Sequence, residues 1–405
     1  MTVPFEFLPY LSQKARDRAE RTQRVAESGL FDADWYRNKY PDVANGSADP
    51  LWHFVEIGSA EGRSPGPGFD ADWYLRTNPD VRAAGVQPLF HYLAHGRVEG
   101  RAALPHLKQG SVSDYWATNR KADRPRSWLE HPTLLKFVHQ RVSGDPKIDT
   151  YSWFKQTYFP NAVPLALTIG CGLGPFERYA IKIGIAERFQ ANDISSGAIE
   201  TAKALAAEAG LSNRIDYSVV DVDHIELPPK QYDAIFTISS AHHIYNLENL
   251  FRQCRHALKP TGLLLLDEYI GPSRFQSSPF VTAIINKLLS EFPPKYRKNL
   301  LADSGSLINR YDPSPIEHFE QNDPSEAIRS GELVSTLKQY FDIVEMRPYG
   351  GAILHMLFSG IMGNFDETNE NDVALIRTIA IFEEALESVG AIGADFAAIV
   401  ARPKP

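Results

Sequence analysis

The apolar run Leu165-Ala-Leu-Thr-Ile169 passes without a break into Gly170-Cys-Gly-Leu-Gly174. Glycines at alternate positions let backbone approach a ligand closely, and the helix expected from Pro175 presents free N–H groups to it. The chain beyond alternates in character. Strands are expected around Phe189, ending at Asp193, and over 215–220, 232–238 and 263–266, with a good helix over 197–209. Strands alternating with helices argue a parallel sheet with helices on its faces.

The ends of these strands carry acids. Asp193 falls 23 residues after Gly170, where a carboxylate can accept both hydroxyls of a ribose. Asp221-Val222 follows the third strand, an acid plus a small apolar residue that can hold the edge and face of an adenine. A nicotinamide dinucleotide would also suit a glycine loop with an acid. That reading requires glycine at position 175, which is proline.

The segments LTIGCGLG, ANDIS, VVDVDHIELP, YDAIFTISSAHHI and LKPTGLLLLDE resemble, in order and spacing, the successive motifs of class I S-adenosylmethionine-dependent methyltransferases. The resemblance is direct over about 160–270, and weaker agreement makes 341–346 and 394–400 a sixth and seventh strand. It implies an α/β fold: a Rossmann-like, mostly parallel sheet of seven strands with helical cap insertions, preceded by a small helical tandem-repeat region. It implies S-adenosylmethionine as cofactor and S-adenosylhomocysteine as product, held by Gly170, Cys171, Gly172, Gly174, Asp193, Ile194, Asp221, Val222 and Ser239. One position departs from the family. Thr168 stands where an acid usually lies two residues before the first glycine, which weakens a contact to the methionine amine.

In an open α/β sheet the acceptor faces the remaining strand ends. These offer Ser239-Ser-Ala-His-His243 and Asp267-Glu-Tyr269, then Arg274. Methylating an alcohol needs a base, and histidine suits because its ordinary pKa is near 6.5. His243 or His242 is expected to serve, His243 by slight preference, with Glu268 the competing base or a hydrogen-bond acceptor for a sugar hydroxyl. Tyr269 and Arg274 are expected to line the acceptor cleft. His355 is either a buried helix residue or a cap residue reaching that cleft. No metal is expected, since the adjacent carboxylates Asp267 and Glu268 point to opposite faces of a strand.

The front of the chain is duplicated. Phe31-Asp-Ala-Asp-Trp-Tyr36 recurs 38 residues later as Phe69-Asp-Ala-Asp-Trp-Tyr74, and the register holds through Glu61-Gly-Arg63 and Glu99-Gly-Arg101. Each copy reads as a short helix around Trp-Tyr, a Pro-Asp turn, a second helix through Leu-x-His and a glycine stop. The two Trp-Tyr pairs are expected to supply most of the buried area, and His53 and His91 to be core residues rather than metal ligands. The repeat resembles modules attached to bacterial glycosyltransferases and other polysaccharide-assembly proteins.

The organisation expected is an N-terminal helix (1–28), two 38-residue repeats (29–104), a helical lead-in (105–160) and a methyltransferase domain (161–405) with insertions at 277–340 and 350–392. Helices are expected over 282–292, 324–340 and 373–389, with Asp323-Pro-Ser-Glu326 as a helix start and Arg329–Glu332 as a salt-bridged face. A formal net charge of −8 argues against a nucleic-acid partner. No stretch approaches the roughly 18 apolar residues of a membrane span, and two cysteines fit a reducing compartment. The function expected is O-methylation of a sugar hydroxyl in surface polysaccharide biosynthesis (O-antigen or capsule). The acceptor would be a sugar or glycan, and the repeats would meet glycosyltransferases or other assembly proteins. The setting expected is the cytoplasm, with a peripheral place at the inner membrane as the alternative. Rival readings are methylation of a small metabolite or lipid, and a non-catalytic scaffold of a glycan-assembly complex.

Overall fold

A computed structural model describes residues 13–104, 127–302 and 305–405. The chain divides into two compact units, Met1–Leu107 and Lys108–Pro405.

The larger unit is built on one sheet. Its strands are β1 (Val163–Ile169), β2 (Ala186–Asp193), β3 (Ile215–Val219), β4 (Tyr232–Ile238), β5 (Leu258–Tyr269), β6 (Phe341–Gly350) and β7 (Phe396–Pro403). They lie in the order β3-β2-β1-β4-β5-β7-β6. Neighbours among β1–β5 pair in parallel, while β7 runs antiparallel between β5 and β6. Chain order reverses between β1 and β4, so the crevice beyond their carboxyl ends is the natural ligand position. Leu264, Leu265 and Leu266 are all fully buried, as befits a central strand covered on both faces. On one face Phe176, Phe189 and Phe236 pack with Trp153 and Phe154. On the other, Leu250, Phe251 and Cys254 of the helix Leu247–Ala257 pack with Leu333 and Leu337.

The lead-in supplies the helices Pro132–Ser143 and Thr150–Tyr158, the second capped by Asp149 through the amides of Tyr151 and Ser152. Leu134, Val138 and Val142 recur at helical spacing and are buried against the sheet. Residues 105–126 of that expected segment lie outside the described residues.

One insertion differs from its expected form. The helix expected over 324–340 covers only Ser330–Tyr340, and a separate helix, Ile316–Asn322, precedes it. Residues 323–327 make a tight turn, because the Asp323 carboxylate accepts from the Ser325 amide and hydroxyl instead of capping a helix. Ala327 sits in left-handed backbone at φ 47°. The Arg329–Glu332 pair is present, and Arg329 also holds Glu248 with both guanidinium ends.

In the smaller unit the two copies fold alike. Asp32 and Asp70 cap the first helices, Ala33–Lys39 and Ala71–Thr77. The Pro-Asp segments, expected as turns, each open a short helix with proline in its first turn, Pro41–Ala44 and Pro79–Ala83. Both tyrosines are fully buried and Trp35 is buried beside Tyr36, while Trp73 is only half-buried. The Tyr36 hydroxyl meets His53 Nδ1 at 3.2 Å and the Tyr74 hydroxyl meets His91 Nδ1 at 2.9 Å, so each histidine satisfies a buried phenol.

A Cβ at Gly58 would lie 1.9 Å from the Tyr36 hydroxyl and no closer than 3.2 Å to its ring carbon. Gly58→Ala should therefore destabilise this unit by about 1–3 kcal/mol. Tyr36→Phe in the same chain should recover much of that loss. A double-mutant cycle by thermal denaturation checks it, and strict additivity would refute the steric account.

Candidate active site

The glycine loop leaves β1 and is tied to β2. The Cys171 amide donates to the Asn192 carbonyl at 2.8 Å, and the Gly172 amide to Asp193 Oδ2 at 2.8 Å. Asp193 Oδ1 accepts from the Ser195 amide at 2.9 Å, just before the helix Ser196–Glu208. Asp193 thus sets the loop and the next helix while each oxygen keeps a second lone pair for a ligand. Gly170 has φ 70°, and a Cβ there would meet Ser240 Cβ at 2.5 Å, so only glycine lets β4 close against the loop. Gly172 has φ 53°, and a Cβ there would meet nothing within 4 Å. Bare backbone facing open space is a cradle that fits a nucleoside cofactor. Asp221 Oδ1 accepts from the Asp223 amide and Oδ2 lies 3.1 Å from His224 Nδ1, with Val222 buried beside them. Ser239 follows β4 in left-handed backbone at φ 49°, and its amide donates to the Asp267 carbonyl. A non-glycine residue there is strained, as residues at functional turns often are.

The acid missing at position 168 has a counterpart that sequence reasoning did not single out. Glu177, in the first turn of the helix Pro175–Ile183, is fully buried. Neither carboxylate oxygen has a hydrogen-bond partner, and the buried Thr168 hydroxyl eases its ionisation without closing a bond. Burial pushes its carboxyl up to about 7. A carboxyl group thus stands behind the glycine loop from the helix side instead of the strand side.

At the ends of β4 and β5 the two carboxylates part. Asp267 accepts from the Tyr349 hydroxyl at 2.7 Å, and burial raises it to about 6. Glu268 is fully buried on the other side. Its Oε1 accepts from the amides of Ser240 (2.9 Å) and Ala241 (2.7 Å), and its Oε2 meets His242 Nδ1 at 2.8 Å. The Ser240 hydroxyl donates to the Ile169 carbonyl, which places this turn against the glycine loop.

His242 and His243 lie on one short 3₁₀ turn, Ala241–His243. Their ring centroids are 4.2 Å apart, so the structure brings both to one place. His243 Nδ1 lies 3.2 Å from the Ser325 hydroxyl, and His242 Nε2 lies 3.7 Å from Glu326 Oε1. Burial works to lower both imidazoles. In His242 it is outweighed by the Glu268 hydrogen bond and charge, which raise it, whereas His243 is lowered further by His242. Glu326 and Asp323 had been read only as a helix start. The signal that marks them is the fold itself, which lays the 323–327 turn over the histidines.

The remaining expected residues stand behind this cluster. Arg274 is buried, and its guanidinium donates to the carbonyls of Glu326 (2.8 Å) and Pro324 (2.7 Å). It clamps the turn instead of lining an open cleft. Tyr269 is buried and its hydroxyl donates to the Pro272 carbonyl. His355 lies in the helix Leu354–Phe358, among Tyr269, Phe275 and Phe396. Burial lowers its imidazole to about 4, so it is neutral at ordinary pH.

Residues 167–266 match a family described as a methyltransferase domain. Over 104 residues the chain is 28% identical to sterol 24-C-methyltransferase of Aspergillus fumigatus, covering 26% of this chain and 27% of that protein. Over 118 residues it is 30% identical to phosphoethanolamine N-methyltransferase 1 of Arabidopsis thaliana, covering 28% and 23%. Among solved structures, geranyl diphosphate C-methyltransferase from Streptomyces coelicolor A3(2) overlaps with a TM-score of 0.43 at 11% identity, covering 74% of this chain and 98% of that one. The match spans about a quarter of the length of these curated relatives. The segment 167–266 thus matches a methyltransferase domain and lies within a sheet of Rossmann-like order.

Asp193→Ala should weaken S-adenosylhomocysteine binding more than tenfold, since it loses a charge-assisted acceptor and frees the Gly172 amide. Calorimetric titration of a folded sample checks this, and unchanged affinity would refute the ribose assignment. Glu177 has a second, pH-dependent signature. Its folded pKa lies above the unfolded value, so the folded state loses stability as pH rises from about 4.5 to about 7. Glu177→Gln should remove that loss, so the variant should gain on the wild type by on the order of 2 kcal/mol between pH 5 and pH 8. Urea unfolding at the two pH values measures the difference.

Proposed function

We propose that this chain methylates a sugar hydroxyl during assembly of a bacterial surface polysaccharide. The observation that carries the methyl-acceptor part is the buried His242–Glu268 pair at the ends of β4 and β5, against the glycine loop. An alcohol acceptor must lose a proton as its oxygen attacks, and this cluster is the place that proton can go. S-adenosylmethionine, when bound, supplies an electrophilic methyl group on a sulfonium. The chain does the rest by positioning. Gly170, Cys171, Gly172 and Gly174, with Ile194 and Ser239, cradle the cofactor, Asp193 holds the ribose, and Asp221 with Val222 holds the adenine.

The sugar part of the reading rests on the front repeats, which resemble modules of polysaccharide-assembly proteins. They would dock the enzyme to glycosyltransferases or other members of such an assembly, in the cytoplasm or at the inner face of the membrane. No helix among the described residues is long and apolar enough to cross a membrane.

The test is incubation of the full chain with S-adenosylmethionine and a panel of nucleotide sugars and glycan fragments, read by mass spectrometry for a gained methyl. Methylation of lipids or small metabolites alone would overturn the sugar reading. Failure to bind cofactor would favour the scaffold. Glu268→Gln should lower kcat roughly a hundredfold while leaving cofactor affinity within about threefold, because Glu268 meets the turn and His242 and not the ribose-side residues. Steady-state kinetics with calorimetry separates the two.

A further inference from the structure

We propose that His242, His243 and Glu326 hold a divalent transition-metal ion at the acceptor side of the cleft. One ligand atom from each of the three lies within 4.8 Å of the others, the one such grouping among the described residues. Their geometry is set before any ion arrives. Glu268 can only accept, so the proton on His242 sits at Nδ1 and the Nε2 lone pair is turned toward Glu326, 3.7 Å away. A carboxylate behind a ligating imidazole is the usual way a protein fixes its tautomer and raises its basicity.

The charge in this pocket calls for a cation. Glu268, Glu326 and Asp323 surround two imidazoles, and among the described residues none of the three carboxylates meets a lysine or arginine within 4 Å. Asp323 is buried, and its Oδ2 has no hydrogen-bond partner. Its Oδ1 accepts from the Ser325 hydroxyl at 2.7 Å, and that hydroxyl contacts His243 Nδ1. Three acidic side chains gathered around two imidazoles in a largely buried site make a setting that a bound dication would stabilise.

The turn that brings Glu326 is also held rigidly. Arg274 bonds the carbonyls of Pro324 and Glu326 through its side chain and that of Ala327 through its amide, and the Ile328 amide donates to the His242 carbonyl. Two imidazole nitrogens and a carboxylate oxygen select zinc, cobalt, iron or manganese over calcium and magnesium, which prefer oxygen alone. The Rossmann-like sheet itself needs no metal. This site comes from the inserted turn. The inference rests on the reading of this cleft as the acceptor side, where the ion would grip the acceptor hydroxyl and make it more acidic.

The test uses the full chain, stripped with a chelator and titrated with cobalt(II). The wild type should bind one equivalent and develop a visible ligand-field absorption, which zinc should quench by competition. His243→Ala and Glu326→Ala should each lower cobalt affinity more than tenfold while S-adenosylhomocysteine affinity and the circular dichroism spectrum stay unchanged. A folded, stripped protein that gives no cobalt absorption overturns the proposal, and so does equal affinity in both variants. Sugar methylation that survives the chelator without a cobalt signal would sink the ion and leave His242 to take the proton itself. Cobalt binding with no sugar methylated would sink the sugar reading and leave the site standing.

Discussion

The Glu268 carboxylate, fully buried at the end of β5, accepts from two backbone amides and one imidazole. Those three bonds all run from β5 to the short turn that follows β4. They fix the turn after β4, that turn bonds the carbonyl that ends β1, and the same turn fits against Gly170. A buried carboxylate without such partners would be strongly destabilising. With them it orients one side of the crevice and places His242, while Asp193 and the Asn192 carbonyl tie down the glycine loop.

A second layer of control comes from outside the core sheet. The turn at residues 323–327 is unrelated to the seven strands, yet Arg274 pins it onto the histidines. Arg274 and Phe275 both adopt left-handed backbone, φ 57° and 51°, a strain that the surrounding bonds must hold in place. The guanidinium is used on carbonyls, where its planar fork satisfies two acceptors at once. This division suits a fold that hosts many chemistries. On the proposed reading the sheet supplies the cofactor cradle, and an insertion supplies Glu326 to the acceptor side.

The sheet was legible because its signals are local. Buried parallel strands read as apolar runs, glycines mark the loop that needs positive φ, and an acid closes β2 at a fixed distance. β4 was expected at 232–238 and occupies Tyr232–Ile238. The site was legible only in part. His242, His243 and Glu268 could be named because they sit at strand ends, but their pairing could not, since the 3₁₀ turn that brings both histidines together has no periodic signature. Glu326 and Asp323 were missed for a related reason. Asp-Pro-Ser-Glu has the composition of a helix start, and the competing outcome, an Asp side chain bonding two residues ahead, uses the same residue types. Glu177 was hidden differently. An acid in the first turn of a helix is normally a solvated partner of the helix dipole, and only tertiary burial turns it inward.

The repeats show what identity between copies means physically. The residues shared at fixed register are those that satisfy one another inside each copy. Tyr36 and Tyr74 meet His53 and His91, Arg63 and Arg101 pair with Asp42 and Asp80, and Gly58 and Gly96 make room for the phenols. Shared residues therefore account for the fold of the module and leave little of it for recognition. Some positions that differ are in the core, as Phe54 against Tyr92 and Val55 against Leu93, and others lie outside. Half-exposed Trp52 corresponds to Phe90, exposed Ile57 to His95, and Ala60 to Val98, which is 92% exposed. Apolar side chains held out on a small, well-ordered unit are available for contact in a way the internal network is not. The duplicated signature thus describes the frame of each copy, and the copies differ most in what they present on its surface.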